Sequence, residues 1–163
     1  MYRYCLLLAV VLLWSGRSCA QLGLTISVQF ISDPSGLTLS GSGTAAATAA
    51  FGSVQAFGGT VPTGVTKSIG ASNWKLSTPI DVLVQKGTLD VLSTSYTLTA
   101  ALQAADLTNT WKLNSVTLST TASTLTASGV YAATVVYTFS LTVPFSVAAG
   151  AINNTINFTV TAN

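Results

Sequence analysis

The chain is predicted to be all-β, an antiparallel two-sheet β-sandwich of about eight or nine strands. Three observations lead there. Apolar residues recur at every second position in segment after segment, the period of strands with one buried face. Threonine and serine supply most of the polarity, and the branched Cβ of threonine suits a pleated surface. Turn-forming residues punctuate the alternating segments at short intervals, as in sandwiches.

The elements follow in order. Leu24, Ile26, Val28 and Phe30 alternate with Thr25, Ser27 and Gln29, and Asp33-Pro34-Ser35-Gly36 is turn chemistry behind them. The small-residue stretch Gly41 to Ala50 reads either as a strand packed closely on its neighbour or as a loop. Gly58-Gly59 and Pro62-Thr63-Gly64 are breaks. Ile80, Val82 and Val84 alternate with Asp81 and Gln85 up to a break at Lys86-Gly87. Tyr96, Leu98, Ala100 and Leu102 form the next apolar row. Trp111 to Leu118 shifts phase midway, the mark of a bulge or a strongly twisted strand. Beyond Ser128-Gly129, Val135 to Val143 alternates again, and after Ala149-Gly150 so does Ile156 to Ala162.

Of 163 residues, 49% are hydrophobic and 6% charged, and there is no histidine. The first twenty residues carry a secretory pattern: Arg3, an apolar run from Tyr4 to Trp14 too short to span a bilayer, and Ser18-Cys19-Ala20 ahead of a cut before Gln21. The expected organisation is a signal peptide over 1–20 and one β-sandwich domain over 21–163, secreted or at the cell surface, with no membrane span after cleavage. Lipidation of Cys19 is the competing reading of the leader, disfavoured by Gly16 and Arg17 ahead of it. Both cysteines, Cys5 and Cys19, fall in the leader, so no disulfide survives cleavage.

From Gln21 onward Lys67, Lys75, Lys86 and Lys112 balance Asp33, Asp81, Asp90 and Asp106. A neutral chain without clustered cations is a poor match for nucleic acid. Serine or cysteine nucleophiles have no histidine to activate them. The aspartates stand apart in turn or strand contexts, and no carboxylate cluster suits calcium. No glycine-rich phosphate loop joins a strand to a helix. The expectation is therefore a protein that is not an enzyme and needs no cofactor or metal.

Two constellations remain. Trp74, Tyr96 and Trp111 would stack on a sugar if exposed together. Yet each tryptophan begins a Trp-Lys-Leu triplet, which equally places ring and leucine in a core with the lysine in water. Thr97-Leu98-Thr99, Thr124-Leu125-Thr126 and Thr159-Val160-Thr161 suggest an outward threonine array for ice or a polysaccharide. Alternation on the wet face of any threonine-rich sheet produces such triplets too, and their spacing along the chain is irregular. Asn153-Asn154-Thr155 and Asn157-Phe158-Thr159 match glycosylation acceptors.

Leu141-Thr-Val-Pro144, Ala148-Ala-Gly150 and Asn154 through Ala162 resemble the closing strands of bacterial secreted β-sandwiches, including fimbrial-subunit-like proteins. Phe51-Gly52-Ser53-Val54 with Gly59-Thr60-Val61 resembles their opening. The resemblance implies an Ig-like or pilin-like fold and a surface or assembly role, and supplies no catalytic residues. The chain lacks the paired cysteines that many fimbrial subunits carry. The alternating strand just behind the cleavage site either pairs with its own sheet or is donated to a neighbouring subunit. In the second case Leu24, Ile26, Val28 and Phe30 form the inserting face. The expected function is a structural, adhesive or filament-forming surface protein, its partners further copies of itself or other surface proteins. A carbohydrate-binding module with a glycan ligand is the alternative.

Overall fold

In a computed structural model of the chain, the described residues are 25–30, 37–42, 44–48, 54–86, 92–148, 150 and 152–163. Residues 1–24, Asp33 to Gly36 and Phe51-Gly52-Ser53 lie outside them. Every regular element among the described residues is a strand: β1 Thr25–Phe30, β2 Leu37–Ser42, β3 Thr44–Thr48, β4 Thr66–Ile69, β5 Asn73–Gln85, β6 Tyr96–Leu102, β7 Thr110–Leu113, β8 Val116–Thr117, β9 Ser123–Gly129, β10 Thr134–Pro144 and β11 Thr155–Ala162. They form two antiparallel sheets, one ordered β2-β1-β5-β10-β7-β8 with β4 also on β5, the other β3-β11-β6-β9. The two-sheet sandwich agrees with the alternation in the sequence.

The long strand β5 organises the larger sheet. Trp74, Leu76, Ile80, Val82 and Val84 are buried on one face while Asn73, Ser77, Asp81 and Leu83 are only half-buried on the other. β10 pairs along nearly its whole length, from Pro144↔Asn73 to Thr134↔Leu83. The opposite edge of β5 is shared by two strands in line, β4 on Trp74 to Ser77 and β1 on Ile80 to Gln85. Pro79 falls in the gap between them. The neighbouring hydrogen bonds explain why a proline is tolerated inside a central strand. The backbone N–H and C=O of Thr138, its partner on β10, point away from β5 and meet the Asn114 side chain and backbone N–H at 2.8 Å each. Thr138 and Pro79 are thus a non-hydrogen-bonded pair, and the missing N–H of Pro79 faces the gap instead of a ladder position.

Three details differ from the expectation. The inward row of β5 begins at Trp74, six residues before Ile80, because Thr78 and Pro79 interrupt the apolar alternation but not the strand. The phase shift after Trp111 is a tight hairpin between β7 and β8, not a bulge. Asn114 takes φ +54°, a left-handed conformation that asparagine tolerates. The register irregularity lies instead between β6 and β9, beside Leu98. The stretch Gly41 to Ala50 contains the end of β2 and all of β3, strands of different sheets.

The core between the sheets holds Ile80, Val82, Val84, Tyr96, Leu98, Trp111, Leu113, Phe139, Ile156, Phe158 and Val160, all at most 1% exposed. Thr126 and Tyr137 share a hydrogen bond of 2.6 Å between hydroxyls, linking β9 of one sheet to β10 of the other.

Candidate functional site

The three aromatics offered for glycan stacking are core residues. Tyr96 is fully buried, Trp111 is 1% exposed and Trp74 9%. That alternative required all three rings in solvent on one face, and the inward parity of β5, β6 and β7 places them against the opposite sheet. Both Trp-Lys-Leu triplets keep tryptophan and leucine buried, with Lys75 exposed and Lys112 half-buried.

Trp111 has a further partner that the sequence did not suggest. Its indole N–H donates to Asp106 Oδ2 at 2.7 Å. The same carboxylate accepts the Asn109 amide side chain at 2.9 Å and the backbone N–H groups of Asn109 and Thr108 at 2.8 and 3.0 Å. Burial pushes the Asp106 carboxyl up, but the bonds from Asn109, Trp111 and Thr108 outweigh it, so its pKa lies below the usual carboxylate value. Four donors occupy both oxygens. This aspartate fixes a loop and the tryptophan under it. Among the described residues no three histidine, cysteine, aspartate or glutamate side chains gather in a metal-binding group.

The cations are used similarly. Lys67 donates to the carbonyls of Gln55 and Gly58. Lys86 donates to the carbonyl of Ser93, whose hydroxyl meets Tyr131. The clefts among the described residues include two open ones. One of about 580 Å³ is lined by residues such as Asn73, Thr110, Thr142 and Phe145. The other, about 330 Å³, lies beside Asp106 and Asn154. The Asn154 amide bridges to the backbone of Ala104, accepting from its N–H and donating to its carbonyl.

The strand-exchange candidates fall on β1, apart from Leu24, which is outside the described residues. β1 is not an edge: it pairs with β2 on one side and β5 on the other, with Ile26, Val28 and Phe30 opposite Val84, Val82 and Ile80. β3 follows β2 and, among the described residues, pairs with β11 alone, from Thr155↔Thr48 to Thr159↔Thr44. Residues 25–48 therefore complete one side of both sheets. Residues 49–65, with no strand among those described, separate them from β4.

The second constellation is the outer face of the smaller sheet. Pairing brings the threonine triplets together despite their irregular spacing in sequence. Thr159 on β11 lies opposite Thr99 on β6, and Thr161 opposite Thr97. Thr99 in turn lies opposite Thr124 on β9, and Thr159 is in register with Thr44 on β3. One row of threonines therefore crosses all four strands. The register shift beside Leu98 divides the Thr124-Leu125-Thr126 triplet: Thr124 is exposed, whereas the Thr126 hydroxyl reaches in to Tyr137. No family model, curated protein or solved structure matches this chain.

Proposed function

We propose that the chain is a secreted, non-enzymatic surface protein with a structural, adhesive or filament-forming role, assembling through exchange of its N-terminal strand. One observation carries the reading. A contiguous segment, residues 25–48, supplies an outer strand to each sheet and is tied to the rest by a connection of seventeen residues, 49 to 65. The same ladders form whether that segment comes from its own chain or a neighbour's, so exchange needs no new contacts, only a reach across subunits. Neither β2 nor β3 contains a lysine, aspartate or proline, the residues that commonly block edge pairing. The occupied carboxylate of Asp106 and the carbonyl-bound Lys67 and Lys86 agree with a scaffold in which ionisable groups stabilise loops.

Size-exclusion chromatography and electron microscopy of the protein beginning at Gln21, with and without residues 21 to 31, test the reading. Multimers or filaments that disappear on truncation are expected. A stable monomer of unchanged behaviour in both forms would refute it.

A further inference from the structure

The smaller sheet has an outer face unlike the rest of the molecule. Its strands read TAAAT, YTLTAAL, STLTASG and TINFTVTA, without one lysine, arginine, aspartate or glutamate. The strand-borne charges Lys67, Lys75, Asp81 and Lys112 all belong to the other sheet. The aromatics Tyr96 and Phe158 point into the core, so the outward positions of β6 and β11 carry only Thr97, Thr99 and Ala101, and Thr155, Asn157, Thr159 and Thr161.

We propose that this threonine face binds the surface of ice. A sheet sets two repeats at right angles, about 4.8 Å between strands and about 6.7 Å between alternate residues along a strand. Thr97, Thr99, Thr159 and Thr161 occupy the corners of one such rectangle. Thr124 and the register position of Thr44 extend its Thr99–Thr159 side across the full width of the sheet. Ice presents oxygens on its faces in rectangular grids of similar dimensions. Each threonine offers a methyl to a hollow of that surface. The Thr97 hydroxyl donates within the protein, shared between the Ala127 carbonyl and the Asn163 side chain, and that of Thr99 donates to the Thr159 carbonyl, which fixes both rotamers and leaves their oxygens as acceptors. Thr161 and Thr124 are exposed, and Thr97, Thr99 and Thr159 are half-buried side by side, which keeps their rotamers few. The absence of charge is what selects ordered water. An ionic group orders water around itself and disturbs a lattice, whereas hydroxyls and methyls do not impose that geometry. A polysaccharide fits less well, because the outward positions of β6 and β11 offer no aromatic ring to stack on a sugar.

The test is partition of the purified protein into slowly grown ice, measured against a bystander protein of similar size. The wild type is expected to be enriched in ice over the bystander and to facet growing crystals. Thr161→Lys and Thr124→Lys, at exposed positions of this face, should each fall to the bystander's level while the near-ultraviolet circular dichroism stays native. Thr134→Lys, at the exposed start of β10 in the other sheet, should partition like the wild type. Exclusion of the wild type from ice would overturn the proposal, as would undiminished partition of both folded face variants. Retention on crystalline chitin or cellulose together with exclusion from ice would assign the face to a polysaccharide instead.

Discussion

Single side chains decide where this chain has room for error. Asp106 holds three donors of its own loop and the indole N–H of Trp111 on β7, and its removal leaves that N–H without its acceptor. Asp106→Asn keeps the size but loses the charge-assisted bonds, so a loss of about 1–3 kcal/mol is expected in urea unfolding. The pH dependence has a definite sign. The folded carboxyl has the lower pKa, so its contribution is complete above the ordinary value near 3.9 and fades as pH falls through the folded value. The stability difference between wild type and Asp106→Asn should be constant at neutral pH and shrink in acid; a difference that grows in acid would contradict the assignment. Gly129 shows the opposite kind of constraint. A Cβ there would lie 2.1 Å from the ring of Tyr96, which has no exposed surface to move into. Gly129→Ala is expected to cost about 1–3 kcal/mol by overpacking, read as a lower denaturant midpoint. In the turn that follows β9, Ala132 takes φ +60°, a conformation that glycine adopts without the Cβ penalty. Ala132→Gly should therefore be neutral or raise stability by up to about 1 kcal/mol, against the usual direction for that substitution.

Strands tolerate interruptions in ways that a one-dimensional pattern does not display. Pro79 sits inside a strand of thirteen residues, yet its lacking N–H faces the gap between β4 and β1. Pro79→Ala should accordingly change stability by no more than about 1 kcal/mol. Leu141→Pro, inside β10 between β5 and β7, should cost about 3 kcal/mol or more, compared by urea midpoints. The same contrast explains what was legible beforehand. β6, β10 and β11 and the second half of β5 declare themselves, because each buries one face between two neighbours and strict alternation follows. β4 and β8, with four and two residues, contain too little chain to show a period. The β7–β8 hairpin resembled a bulge because only the backbone of Asn114 distinguishes a reversal from an extra residue. For the threonine face, the triplets were visible but their alignment was not. Register between β9, β6 and β11 is set by the whole ladder, and sequence spacing carries no trace of it. Asp106 was readable as a turn residue, while its bond to Trp111 depends on how the loop is folded.

At the scale of the whole molecule the question is which chain completes the sheets. The ladder parity supplies the means to ask it. The Val84 carbonyl accepts from Ala132 on the β10 side, so Val84, and with it Val82 and Ile80, direct their backbone groups away from β1. Val28 and Val82 are therefore a non-hydrogen-bonded pair, in which Cα atoms approach to about 4.5 Å. That separation is within the range a disulfide spans. From Gln21 onward the chain has no cysteine of its own, so Val28→Cys with Val82→Cys introduces the only pair. A strand retained by its own chain gives oxidised monomers that migrate as a single compact species. A strand passed to the next subunit gives covalent dimers and longer ladders that collapse to monomer on reduction. Exchange predicts ladders when oxidation follows assembly, and their number should fall when the protein is oxidised dilute, because only the intermolecular reaction depends on concentration. The single variants Val28→Cys and Val82→Cys control for random pairing, since neither has a partner in register. Monomers alone, at every concentration and after assembly, would mean that residues 25–48 complete only their own sheets.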